Sequence, residues 1–396
     1  MRFALALLLA LLATPLHARP HILVDLTADR VIDAQEAFRP WHPASLTKMM
    51  TAYTVLDMMR LGEIGPDTNV KMTWWASQQS PSKMGFKPGT LVPIRDALAM
   101  IAVKSANDVS QAIAESLSDR RPENFYARMN ENARRIGMIA TVFVNPHGLH
   151  DPEQITSARD MGLLVRALSR DFPDWMWLWR TPAIRVAPAE GVRERSYRSF
   201  NALLERFPGA NGMKTGYVCA SGWNFAGSAT RDGRTVVAIV LGRNTATDRV
   251  IDAAKMLERS FEAGPEAASG GTKLDELVPS AQVPAEPPNL RPVVCAAKRP
   301  ASKPGELEYL PQGVQGPPGP PRQWLLPKSA ATALAPVPVR TAGRVAHAPD
   351  LSGVTDLPTP RPPDPAIDDL DLVPSPYPTV PAQRPPHPSE AAAAGR

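Results

Sequence analysis

Ser45 and Lys48 lie three residues apart in Pro43-Ala-Ser-Leu-Thr-Lys-Met-Met-Thr51, with the types and spacing of a nucleophile and its base. On a helix, residues at this spacing share a face one turn apart. The stretch from Leu46 to Met59 is almost wholly apolar, which predicts a buried helix that carries Lys48 inward. A lysine there is costly unless neutral or paired, and burial with a second cation nearby lowers its pKa. A neutral amine could take the Ser45 hydroxyl proton and so activate a serine without histidine. The helix N-terminus would add free amides and positive potential where an oxyanion forms. The competing reading is that Ser45 merely caps the helix.

Two further clusters follow in the chain. Ser105-Ala-Asn107 falls between two helical stretches, where a hydroxyl and an amide can both face a cleft. Ser105 could relay a proton to a leaving amine, and Asn107 could orient Lys48 and hold a substrate carbonyl; simple capping of the next helix is the alternative. Lys214-Thr215-Gly216 reads as mid-strand, with a charge and a hydroxyl for a carboxylate and a glycine where substrate would approach the backbone. The Tyr217 amide would then join that of Ser45 as an oxyanion donor. The two serine motifs each have a decoy. Ser80-Pro-Ser-Lys83 is surrounded by helix breakers and reads as loop, and Ser199-Phe-Asn201 lies too close to Lys214 to form an opposite wall.

These residues must be positioned by one sizeable domain. His21–Asp25 and Arg30–Asp33 read as strands, as do three later runs, 211–219, 223–229 and 235–241. Helices are predicted over 46–59, 94–100, 107–117, 123–137, 157–168 and 248–261. The order predicts an antiparallel sheet closed by its first and last strands, with helices on both faces. Residues 1–18 resemble an export leader: Met1-Arg2, an apolar run from Phe3 to Ala13, and a small residue at Ala18. That run is too short to span a bilayer. Of the 44 prolines, 29 fall in the last 132 residues, so 265–396 reads as a disordered tail or spacer. Cys219 and Cys295 are placed in domain and tail respectively, and free thiols are expected. The net charge of +5 comes without a long basic run, which argues against nucleic acid and suits an anionic substrate.

Pro43–Thr51, Ser105–Asn107, Phe143-Val-Asn-Pro-His-Gly-Leu149 and Gly212–Gly216, in that order, resemble the serine D-alanyl-D-alanine carboxypeptidases, the low-molecular-mass penicillin-binding proteins. The resemblance covers about 20 to 262. It implies an α+β, β-lactamase/transpeptidase-like fold in 19–264 and removal of the terminal D-alanine from peptidoglycan stem peptides through an acyl-enzyme on Ser45. Covalent inhibition by β-lactams, an envelope location and no cofactor or metal are implied with it. By position Ser45 is nucleophile, Lys48 base, Ser105 and Asn107 relay and positioning, and Lys214 with Thr215 the carboxylate anchor. Arg249, or its competitor Arg243, would be a further carboxylate-binding arginine. The Pro-rich tail replaces the small β-domain and amphipathic membrane helix of many relatives, and could bind an envelope partner. Phe143–His150 offers no acid for a deacylating water, which argues against a β-lactamase. A D,D-endopeptidase and an inactive envelope-binding protein are the remaining alternatives.

Overall fold

The run Thr235–Leu241 is apolar at nearly every position, as a strand must be when both its faces are buried. In the computed structural model, which describes residues 19–187, 194–280, 282–295 and 336–343, it is the centre of a five-stranded antiparallel sheet. The strands are β1 (His21–Asp25), β2 (Arg30–Gln35), β3 (Ala210–Val218), β4 (Gly222–Arg231) and β5 (Arg234–Arg243), in the order β2-β1-β5-β4-β3. The first strand therefore pairs with the last, Ile22 opposite Ile239. Alternation divides the side chains between two cores. Ile22, Val24, Val237, Ile239 and Leu241 face the larger one, while Leu23, Val236, Ala238 and Val240 face the other.

The smaller core is closed by α6 (Ala246–Glu262), whose Val250, Ala253, Ala254 and Leu257 pack on it. The larger core holds α1 (Thr47–Arg60), α2 (Ile94–Val103), α3 (Asn107–Ser116), α4 (Pro122–Arg135) and α5 (Ala158–Asp171). Helix α1 is buried from Thr47 to Met58, as its lack of a polar face predicts. The reading of 46–59 as one helix is corrected at its start, because Ala44–Leu46 form a 3-10 turn and the α-helix begins at Thr47. Neither segment has a side-chain cap, so Ser45 is not a capping residue.

Short strands escaped the sequence reading. Asn69–Lys71 pairs with Leu91–Pro93, and Ala183–Val186 pairs with Arg195–Arg198. Runs of three or four residues are too brief to establish a period.

The expected boundary at 264 is also corrected, since the segments on either side of Ala281 pack on the domain. Thr272 accepts the Val31 amide and Gly271 the Arg30 guanidinium, covering the β2 edge. Leu274 is fully buried in the larger core. Further on, the Leu290 amide donates to Ala220, and Cys295 is disulfide-bonded to Cys219. The expectation of free thiols is thus overturned, because the chain folds back over the domain and brings the two sulfurs together. A link closing a loop of 76 residues removes roughly 4 kcal/mol of unfolded-chain entropy. Val337–Val339 adds a parallel strand to Ala183–Val186. The readings for 1–18, 296–335 and 344–396 lie outside the described residues.

Candidate active site

Ser45 and Lys48 sit at the mouth of α1, and Ser105 and Asn107 come from the turn between α2 and α3. Lys214 to Tyr217 lie on β3. All but the two lysines line a pocket of about 180 Å³. A larger cavity of about 570 Å³, beside His42 and Val283–Pro287, contains no such pairing of nucleophile and base. Ala44 and Ser105 both hold left-handed backbone, at φ of 48° and 59°. Such strain at non-glycine residues collects where the fold must aim a functional group.

The Lys48 amine is fully buried and has three partners: Ser45 Oγ at 3.0 Å, Asn107 Oδ1 at 2.6 Å and the His147 carbonyl at 2.5 Å. Asn107 Nδ2 donates to the Ser80 carbonyl at 2.9 Å, which fixes the amide so that its oxygen faces Lys48. Two of the three partners can therefore only accept. A neutral amine would give them its two N–H groups and turn its lone pair on the Ser45 hydroxyl. The protonated amine satisfies the same three groups, so the site tolerates both states. Burial, then the charge of Lys214, hold the Lys48 pKa well below the usual lysine value, while Asp108 opposes them more weakly.

Lys214 Nζ donates to Ser105 Oγ at 2.9 Å, joining the second and third motifs. Its pKa falls to about 7 through burial and then the Arg249 charge. Thr215 opens into the pocket. Gly216, which lines the pocket, also has a reason within the fold. A Cβ there would stand 2.9 Å from the Pro43 carbonyl and 3.2 Å from the Ser45 amide. It is the protein's own turn that needs the space, and the glycine lets β3 press against the segment bearing Ser45.

Arg249, at the start of α6, lines the pocket and donates to the carbonyls of Gly216 and Asn224. Its Nε is buried with no hydrogen-bond partner among the described residues, and the guanidinium lies 4.8 Å over the Trp223 ring. Burial lowers its pKa to about 9, which leaves it cationic at neutral pH. Arg243 is committed elsewhere, to Asp252 and the Leu241 carbonyl. Of the two arginines, Arg249 lines the pocket and Arg243 does not.

Several site residues had no signature in the sequence. His147 and Ser80 act through backbone carbonyls, which any residue supplies. Asn224 donates to the carbonyls of His42 and Pro43 and so pins the turn before Ser45. The decoy Ser80–Lys83 is a loop, as expected, but it braces the second motif: Ser82 accepts the Asn107 amide and donates to Lys104. Asn201, from the other decoy, is structural; it donates to Gly212 and accepts the Leu203 amide.

The loop 143–150 is held against α1 by Gln154, which accepts the Val144 amide and donates to Thr47 Oγ1, and by Thr51, which donates to Pro146. At Gly148, with φ of +83°, a Cβ would lie 1.9 Å from the Ala44 carbonyl. Gly148→Ala is expected to lower the melting temperature by roughly 5–10 °C and to displace the loop carrying His147. Thermal denaturation checks this against Gly85→Ala, where φ is +73° but nothing lies within 4 Å. Equal losses in the two variants would refute the steric account.

The family model for D-alanyl-D-alanine carboxypeptidases (Peptidase_S11) matches residues 10–245. The D-alanyl-D-alanine carboxypeptidase DacA of Haemophilus influenzae is 30% identical over 249 residues, 62% of each chain. The chain thus spans about three-fifths of the length of this curated relative. Among solved structures, penicillin-binding protein 5 from Haemophilus influenzae is similar with a TM-score of 0.57 and 30% identity, over 62% of this chain and 71% of that one. Penicillin-binding protein D2 from Listeria monocytogenes, in its ampicillin-bound form, is similar with a TM-score of 0.53 and 26% identity, over 62% of this chain and 97% of that one.

Proposed function

Since the chain belongs to the D-alanyl-D-alanine carboxypeptidase family, we propose that it removes the terminal D-alanine from peptidoglycan stem peptides through an acyl-enzyme on Ser45. The observation that carries this reading is the Lys48 amine, whose two acceptor-only partners leave a lone pair for the Ser45 hydroxyl.

Lys48 takes the Ser45 proton as Oγ bonds to the carbonyl carbon of the penultimate residue. The carbonyl electrons collapse onto oxygen, which the amides of Ser45 and Tyr217 receive. Gly216 supports that pairing by admitting the Ser45 turn to β3. The proton passes through Ser105 to the leaving nitrogen, the C–N bond breaks, and free D-alanine departs. Water then hydrolyses the ester and restores Ser45. Thr215, Lys214 and Arg249 hold the substrate carboxylate, with the unpartnered Arg249 Nε a ready donor. Asn107 holds Lys48 through its oxygen.

β-Lactams enter the same reaction and stay attached, because none of the residues lining the pocket is an acid that could activate a deacylating water. The ampicillin-bound Listeria relative supports this. The protein works in the cell envelope after loss of residues 1–18, with a peptidase domain that runs past 264 to include the segments packed on it. No described helix is long and apolar enough to cross a membrane.

Incubation of the full chain with a D-Ala-D-Ala pentapeptide should release one equivalent of D-alanine per peptide. A labelled penicillin should give an adduct that outlasts many peptide turnovers. Rapid destruction of the penicillin would favour a β-lactamase. A folded protein inert to both reagents would favour a binding role.

A further inference from the structure

A stack of groups runs from the disulfide to the carboxylate end of the pocket, and neither the family assignment nor the proposed chemistry requires it. The Tyr217 hydroxyl lies 3.0 Å from Cys295 Sγ and 3.7 Å from Cys219 Sγ. A disulfide sulfur has no hydrogen to give, so the hydroxyl is the donor. The Tyr217 ring stacks on its cross-strand neighbour Trp223, with centroids 4.1 Å apart and planes 29° from parallel. Trp223 in turn carries the Arg249 guanidinium over its face. On the other side, residues 282–295 are tied to the β3–β4 turn twice. The Leu290 amide donates to Ala220, and the Leu290 side chain sits against Gly222, where a Cβ would meet it at 3.0 Å.

We infer that the strap of residues 282–295, locked by the Cys219–Cys295 bond, positions the carboxylate-binding end of the site through Tyr217, Trp223 and Arg249. Among the described residues, the Arg249 guanidinium is otherwise hydrogen-bonded only through Nη1, to the carbonyls of Gly216 and Asn224. Its Nε direction therefore depends on the ring beneath it. Cutting the bond lets Cys295 move away from the Tyr217 hydroxyl and lets the stack relax. The cut is a two-electron reduction in which a dithiol such as dithiothreitol gives two hydrogens to the two sulfurs and is itself oxidised to a cyclic disulfide. The nucleophile, its base and the oxyanion amides lie outside the stack's side chains. The effect should therefore fall on carboxylate recognition and not on acyl transfer itself.

This inference rests on the peptidase reading above, and the test separates the two. The full-length chain is assayed oxidised, reduced with dithiothreitol, and as Cys295→Ser, on two pentapeptides that differ only in a C-terminal carboxylate or carboxamide. Reduction or substitution should lower kcat/KM for the carboxylate peptide about tenfold, chiefly through KM, and leave the carboxamide peptide unchanged. An unaltered ratio, or equal losses on both peptides, would overturn the inference, since a merely structural bond affects both alike. Hydrogen exchange gives a readout independent of turnover. Protection should fall in 219–223 and 287–295 on reduction and hold at the Tyr217 amide and in α2 and α3. An oxidised chain that hydrolyses neither peptide would count against the peptidase reading, and unchanged exchange in those segments against the strap.

Discussion

Ser45→Ala is expected to yield a folded protein that forms no penicillin adduct and releases D-alanine at least about 10⁴-fold more slowly. Stability should change little. Ser45 caps no helix, and the hydrogen bond its hydroxyl makes is to Lys48. Two other serine hydroxyls, Ser82 and Ser105, line the same pocket, so loss of activity alone would not identify the nucleophile. Mass spectrometry of the digested wild-type adduct decides the point. The added mass should sit on the fragment containing Ser45. Finding it on the fragment with Ser82 or Ser105, or persisting in Ser45→Ala, would defeat the mechanism.

The second large effect concerns the base. Lys48→Arg puts a permanent charge in place of an amine that can lose its proton, and a guanidinium does not deprotonate, so it cannot accept the serine proton. A loss of about 10³-fold in the rate of acylation is expected, within the range for removal of a general base. The wild-type pH profile carries the same argument with its sign. Acylation needs Lys48 neutral, so the rate rises with pH through the depressed Lys48 pKa. Carboxylate binding needs Lys214 charged, so kcat/KM declines as pH rises past about 7. A bound carboxylate favours the charged amine, which places the alkaline limb of kcat above that of kcat/KM. Stopped-flow acylation across pH 5–10 would show both limbs. A rate that simply climbs to pH 10 would mean that Lys48 titrates as an ordinary lysine.

The sheet was largely legible in the sequence because a strand buried on both faces leaves an unbroken apolar run. Thr235–Leu241 has apolar residues at both parities, and the structure divides them between two cores. The all-apolar helix around Lys48 was legible for the same reason. Segments of three or four residues, such as Asn69–Lys71 and Val337–Val339, were not, because their pairing depends on partners far along the chain. The tail was misjudged in part. Proline content correctly opposes regular structure, and 265–295 contains little. Yet Leu274 and Leu290 anchor an irregular strap by packing, which leaves no periodic trace.

By itself the sequence determined which hydroxyl and amine are neighbours, since three residues on a helix fix a distance whatever surrounds them. It also determined that the three motifs stand on a helix mouth, a turn and a strand. Tertiary structure alone decided the state of Lys48, because burial and the acceptors from His147 and Asn107 come from segments 99 and 59 residues away. It likewise brought Arg249 and not Arg243 to the pocket and joined Cys219 to Cys295. Local spacing records how close two groups are along the chain, whereas desolvation and long-range pairing exist only once distant segments have packed together.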